Sequence, residues 1–212
     1  MINIFLVDDH AIIREGLKRI ISKTDDIKIV GEATNSQEII SQAVKPDWDV
    51  DLVLLDITLP GRSGIDVLKQ LKGLKPDLKF LVLSIHSEDQ YALRVLRSGA
   101  SGYMTKDSAP EQLIDAIRKI HSGGMYVSST LAEKLAGYVG KSVDQPLHNS
   151  LSDREYQVMC MLASGKTVTE IANELTLSVK TISTNRSRVL EKMGMRTNAQ
   201  LTYYAIQNKL IE

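Results

Sequence analysis

Leu52-Val53-Leu54-Leu55-Asp56-Ile57-Thr58-Leu59-Pro60-Gly61 runs through four apolar residues to an acid, then reaches a proline and a glycine. A short apolar run without polar alternation predicts a strand buried on both faces, as in a parallel sheet covered by helices. Asp56 then ends that strand, and Pro60, Gly61 and Gly64 predict a sharp turn into the next helix. Working outward, similar runs occupy 2–7, 27–32, 80–83 and 102–104. Between them, Ile12, Leu17, Ile20 and Ile21, and later Ile65, Leu68 and Leu71, recur at helical spacing. Five strands alternating with helices predict an α/β fold with a doubly wound, five-stranded parallel sheet over residues 1–124. Such a sheet gathers its reactive groups at the carboxyl ends of its strands.

Those ends carry chemistry. Asp8 and Asp9 end the first strand, Asp56 the third and Ser84 the fourth, while Lys106 closely follows the fifth. With the first and third strands adjacent, the three acids meet. Clustered carboxylates repel one another, so a hard cation must neutralise them, and oxygen ligands with room for water suit Mg²⁺. Asp56, central and alone on its strand end, suits a nucleophile toward a phosphoryl group. The metal and Lys106 would stabilise the negative charge, and Ser84 would donate a hydrogen bond to a phosphoryl oxygen.

A chain of 212 residues with 43% hydrophobic composition can fill two ordinary domains. Its formal net charge is zero, slightly acidic up to Gly124 and slightly basic beyond, so any nucleic-acid contact must be argued from position. The single cysteine, Cys160, excludes an internal disulfide and lies in an apolar helical stretch that suits an inert buried thiol. Met1-Ile2-Asn3-Ile4 lacks the basic start of a signal peptide. No run approaches the roughly 20 apolar residues of a membrane helix. A cytoplasmic protein without a membrane partner is expected.

The alternation of strand and helix stops after Gly123-Gly124. Residues 125–148, with a short helical piece at 131–136, then Gly140 and Pro146, predict a linker. Residues 149–212 predict a small all-α domain of four short helices, with turns at Gly165-Lys166 and 176–178. Within it, 168–175 predicts a short helix with Ile171, Ala172 and Leu175 on one face. Ser178 is a good N-cap for a longer helix ending near Met193. Ile182, Val189 and Met193 share one face of that helix, opposite Lys180, Ser183, Thr184, Ser187, Arg188 and Glu191. Small hydroxyl side chains let a helix approach base edges, while Lys and Arg reach phosphates. Two short helices joined by a tight turn, the second polar and basic outside, predict a helix-turn-helix bound to double-stranded DNA.

These residues carry a resemblance. Asp8-Asp9, 52–56, Leu59-Pro60-Gly61, Leu83-Ser84 and Gly102-Tyr103-Met104-Thr105-Lys106 resemble the receiver domains of bacterial response regulators. Leu151-Ser152-Asp153-Arg154-Glu155, Ile171-Ala172, 179–182 and 190–193 resemble the LuxR-type domain of NarL/FixJ-type regulators. The resemblance implies a flavodoxin-like receiver phosphorylated on Asp56 by a sensor histidine kinase. It implies Mg²⁺ held by Asp9, Asp56 and the backbone carbonyl of Thr58, with Asp8 acting mostly through water. It also implies a switch in which Ser84 moves toward the phosphoryl group and Tyr103 turns inward. In the second domain, Thr181 and Lys192 of the matched motifs join Lys180, Ser183, Thr184, Ser187 and Arg188 as candidate DNA contacts. The last helix, 198–209, carries dimer contacts on DNA in that family, so phosphorylation is expected to control dimerisation and promoter binding. Gln157 stands where the family usually has glutamate, and Asn185 where it has His or Tyr.

The histidines signal less. His10 reads as a polar loop residue and His86 as a loop residue modulating access to the site, while His121 and His148 show no partners. A competing enzyme reading also uses Asp, Ser and Lys on a doubly wound sheet, in haloacid-dehalogenase-like phosphatases. Those place a second Asp two residues after the nucleophile, where this chain has Thr58, and their further acids follow the lysine. The chain therefore reads as a regulator and not an enzyme.

Overall fold

The computed structural model describes residues 1–60, 62–108, 110–138 and 146–211. Gly61 of the expected turn, and Gly140 with most of the linker beyond α6, lie outside the described residues. The chain forms two compact units, Met1–Leu135 and Ala136–Glu212.

In the first unit, β1 (Ile2–Val7), β2 (Ile27–Ala33), β3 (Leu52–Asp56), β4 (Lys79–Ser84) and β5 (Gly102–Thr105) make one sheet in the order β2-β1-β3-β4-β5. Every neighbouring pair is parallel. Helices α1 (Ala11–Ile21), α2 (Ser36–Ala43), α3 (Gly64–Leu74), α4 (Glu88–Arg97) and α5 (Pro110–His121) connect and follow the strands. All of β3 is buried, as its unbroken apolar run requires. Leu6, Leu54, Leu81 and Met104 pack with Ile21 of α1 and with Leu113, Ile117 and Ile120 of α5. Their neighbours along the strands, Phe5, Val53, Val82 and Tyr103, point the other way and are buried too. Ile12 breaks the expected apolar face of α1: it is 88% exposed beside the carboxyl edge of the sheet.

The expected linker begins bound to the sheet. Tyr126 forms a parallel bridge with Gly102, donating its N–H to the Ser101 carbonyl (2.9 Å) and accepting from the Tyr103 N–H (3.2 Å). The β5 edge would otherwise leave these groups unpaired, which is why the chain returns to it. A helix α6 (Ser129–Tyr138) follows, longer at both ends than the helical piece read from sequence.

The second unit has a 3-10 turn (Leu147–Ser150) and helices α7 (Asp153–Ala163), α8 (Val168–Glu174), α9 (Val179–Lys192) and α10 (Asn198–Gln207). Ser152 with Glu155, Thr167 with Glu170, and Thr197 with Gln200 form reciprocal capping boxes that start α7, α8 and α10. Ser178 caps α9 through the Thr181 N–H, as expected. Ile171, Leu175, Ile182, Val189 and Leu201 bury the apolar faces, and Cys160 is buried with them. His148, which looked solitary in sequence, has Nδ1 2.9 Å from the Tyr204 hydroxyl.

Candidate functional site

The β-strands deliver their terminal side chains to one cluster. Asp8 follows β1, Asp56 ends β3 and Ser84 ends β4, and all three are almost fully buried. The turn after β3 depends on close approach. Gly64, first in α3, donates its N–H to the Ile57 carbonyl at 2.8 Å. A Cβ there would lie 2.1 Å from the Asp56 carbonyl oxygen. Only glycine lets α3 begin this close to the acid.

Lys106 reaches back from beyond β5 and ties the acids together, with Nζ 2.6 Å from Asp8 Oδ2 and 2.6 Å from Asp56 Oδ2. Its own backbone N–H is anchored on the Ser84 carbonyl at 2.8 Å. The Thr58 N–H donates to Asp56 Oδ1 at 3.1 Å, while Thr58 Oγ1 is buried with no hydrogen-bond partner. Asp8 Oδ1 accepts from the His10 N–H at 2.8 Å. The His10 ring, half in solvent, has Nδ1 2.9 Å from Asp9 Oδ1 and 3.2 Å from Asp8 Oδ1. His10 thus belongs to the acidic cluster, a role that its lone position in sequence did not suggest.

The charges do not balance. Burial pushes the Asp56 carboxyl up to about 6 against the opposing pull of Lys106, and Asp8 adds to the rise. Burial lowers Lys106, but Asp56 and Asp8 outweigh it and hold the ammonium above its ordinary value. Two buried carboxylates share one cation, with Asp9 beside them. Ligand atoms of Asp8, Asp9, His10 and Asp56 lie within 4.8 Å of one another, so the cluster could hold a metal ion. The mostly oxygen donor set and the charge deficit fit a hard divalent cation.

Ser84 Oγ accepts from the His86 N–H at 3.0 Å, and the Ser84 hydroxyl also shares a side-chain hydrogen bond with Tyr103. The Tyr103 ring is fully buried, and its hydroxyl donates to the His86 carbonyl at 2.8 Å. Desolvation pushes that hydroxyl's pKa up, so it remains a donor. Tyr103 is therefore inward in this structure.

The second candidate surface is α9. Lys180, Thr181, Ser183, Thr184, Ser187 and Arg188 are exposed, opposite buried Ile182 and Val189. Thr184 and Ser187 donate their hydroxyls to the Lys180 and Ser183 carbonyls, at 2.9 and 3.1 Å, which folds them close to the helix. Asn185 likewise donates to the Thr181 carbonyl at 3.0 Å. Lys192 differs from the rest of the set: its Nζ is 2.6 Å from Oε2 of Glu155, whose side chain is 4% exposed. Glu155 also accepts from the Ser152 N–H at 2.8 Å, so Lys192 locks the end of α9 to the start of α7. Sequence periodicity could not reveal this partner, 37 positions away. Gln157 is buried and accepts from Arg154 at 2.6 Å.

Comparison with known proteins agrees with both halves. The response regulator receiver domain family matches residues 4–118. The luxR family of bacterial regulatory proteins matches 149–205. The response regulator UvrY of Escherichia coli K12 is 36% identical over 99% of this chain and 96% of its own. GacA of Pseudomonas aeruginosa is 33% identical over 100% of this chain and 99% of its own. The structure of RcsB from Salmonella enterica serovar Typhimurium, bound to promoter rprA in the presence of phosphomimetic BeF3-, aligns with a TM-score of 0.66. It is 28% identical and covers 96% of this chain and 97% of its own. With the acid–lysine cluster at the strand ends and a helix-turn-helix beyond it, this chain belongs to the response regulators that join a receiver domain to a LuxR-type DNA-binding domain.

Proposed function

We propose that Asp56 accepts a phosphoryl group from a sensor histidine kinase, and that this phosphorylation controls dimerisation and binding to promoter DNA in the cytoplasm. The observation that carries the reading is the buried Asp56 carboxylate, held by a Lys106 that it shares with Asp8. In the transfer, an Asp56 oxygen forms a bond to phosphorus as the phosphorus–nitrogen bond to the kinase imidazole breaks. The imidazole keeps that electron pair. Lys106 is placed to pair with a phosphoryl oxygen, and the Ser84 hydroxyl, on leaving Tyr103, would donate to another. Asp9, Asp56 and the Thr58 carbonyl would hold Mg²⁺, with Asp8 acting through water. The ion would supply positive charge to the developing phosphoryl oxygens. Thr58 places no carboxylate two residues beyond Asp56, so no acid there can assist hydrolysis, and the acyl phosphate should persist. The receiver module is assigned to 1–124, the linker to 125–148 and the DNA-reading module to 149–212. Lys180 and Arg188 would hold phosphates, while Thr181, Ser183, Thr184 and Ser187 would meet base edges; Lys192 serves chiefly to fix α9.

Incubation with a small phosphodonor and Mg²⁺ tests the site. One equivalent of acid-labile phosphate should appear in the wild type and none in Asp56→Asn. Full labelling of Asp56→Asn would reject Asp56 as acceptor, and sustained phosphate release would favour the phosphatase reading.

A further inference from the structure

We infer that the hydrogen bond from Ser128 to Glu88 is a latch through which the state of the Asp56 site reaches α6, the helix that leads out of the receiver. The inference rests on the phosphorylation reading above for its input, and on four linked contacts for its path.

The path begins at Ser84, whose hydroxyl oxygen holds the His86 N–H at 3.0 Å. The carbonyl of the same residue, His86, accepts the Tyr103 hydroxyl at 2.8 Å, so both hydroxyls bind one loop residue. Ser87 and Glu88 follow at once, as the N-cap and first residue of α4. The Glu88 carboxylate accepts the Ser128 hydroxyl proton. Ser128 in turn opens α6: its Oγ accepts from the Leu131 N–H at 3.1 Å, and its carbonyl from the Ala132 N–H at 2.9 Å. One hydroxyl therefore caps α6 and grips α4.

Tyr103 makes the connection tighter. Its side chain holds the loop before α4, while its backbone N–H holds the Tyr126 carbonyl, two residues before Ser128. Glu88 also lies close enough to both Tyr103 and Tyr126 for its charge to push their hydroxyls upward, behind burial as the larger cause. If Tyr103 swung out, the loop holding Glu88 would lose its anchor and the Ser128 cap would lose its acceptor. Inward Tyr103 and a closed latch occur together in this structure. Phosphorylation that favours inward Tyr103 should therefore fasten α6, and by linkage a fastened α6 should favour inward Tyr103.

Hydrogen exchange of the full-length chain at residues 129–133, with and without a small phosphodonor and Mg²⁺, tests this. Wild type should exchange there about fivefold or more slowly when phosphorylated, the range of ordinary allosteric coupling. Glu88→Ala, which spares the Ser128 cap, should lose most of that change while Asp56 still takes its label. Glu88→Gln keeps an acceptor for Ser128 and should respond like wild type. A full response in Glu88→Ala would overturn the latch. A Glu88→Gln that behaves as Glu88→Ala would overturn it as well, by assigning the effect to charge. Tyr103→Phe without phosphodonor keeps the two proposals separate. It should speed exchange at 129–133, whether or not the wild type accepts phosphate, and unchanged exchange there would also sink the latch. Absence of label on the wild type would instead count against phosphorylation of Asp56.

Discussion

Asp56 is buried in a way that works against the folded state. Burial raises its carboxyl from 3.8 to about 6, so the folded chain holds this proton more tightly than the unfolded chain does. Between those values the unfolded state binds fewer protons, and the stability associated with Asp56 falls as pH rises from about 4 to about 6. In chelator, Asp56→Asn should therefore stabilise the protein at pH 7 by about 1–3 kcal/mol, with the gain shrinking as the solution is acidified. Denaturant titrations across that range measure it, and parallel pH profiles for wild type and variant would contradict it. The neighbouring glycine acts in the opposite sense. Gly64→Ala forces a Cβ against the Asp56 carbonyl oxygen, only 2.1 Å away, so α3 must shift. A loss of about 1–3 kcal/mol is expected, as for other overpacked sites, with slower labelling of Asp56 by phosphodonors. A Gly64→Ala protein with wild-type stability and labelling would show that the turn can relax at no cost.

At the scale of elements, strand ends were far easier to read than attachments. Asp8, Asp9, Asp56, Ser84 and Lys106 were legible because a buried parallel strand is an unbroken apolar run, and the first polar residue after it marks its carboxyl end. The helix-turn-helix was legible from its caps and the two faces of α9. The one-residue bridge at Tyr126 was not, since a single pairing has no alternation to read and the composition of 125–148 reads as linker. The exposure of Ile12 was also hidden, because one apolar residue at helical spacing does not reveal where the buried face ends. Lys192 shows a similar limit on α9: the matched motif placed it among the candidate DNA contacts, but its buried partner Glu155 lies on α7. The candidate DNA contacts should accordingly divide under mutation. Lys180→Ala and Arg188→Ala should each reduce the salt slope of DNA binding by about one, with stability little changed. Lys192→Ala should leave the slope nearly intact and cost about 1–2 kcal/mol, because Glu155 loses its cation in a buried setting. Binding isotherms at several salt concentrations, beside denaturant melts, decide between the roles. A slope that falls for Lys192→Ala without loss of stability would return that lysine to the DNA contacts.

For the whole molecule, the question is what phosphorylation changes about DNA binding. The chain has no net formal charge, and one α9 offers few exposed cations, so a single module should hold DNA weakly. Two modules on one duplex change this, because after the first has bound, the second meets its half-site at high effective concentration. That gain requires half-sites whose centres lie about 10 base pairs, or one helical turn, apart. Release of a masked recognition helix is the rival mechanism, and it makes a different demand: the gain should be the same whether the DNA carries one half-site or two. Full-length protein, with and without phosphodonor, should therefore be titrated onto duplexes bearing one half-site, two in helical phase, and two offset by half a turn. Dimer control predicts about a tenfold or greater gain on the phased pair alone. It also predicts a gain that vanishes in Asp56→Asn. An equal gain on all three duplexes would instead mean that phosphorylation exposes α9 and leaves the number of modules bound to DNA unchanged.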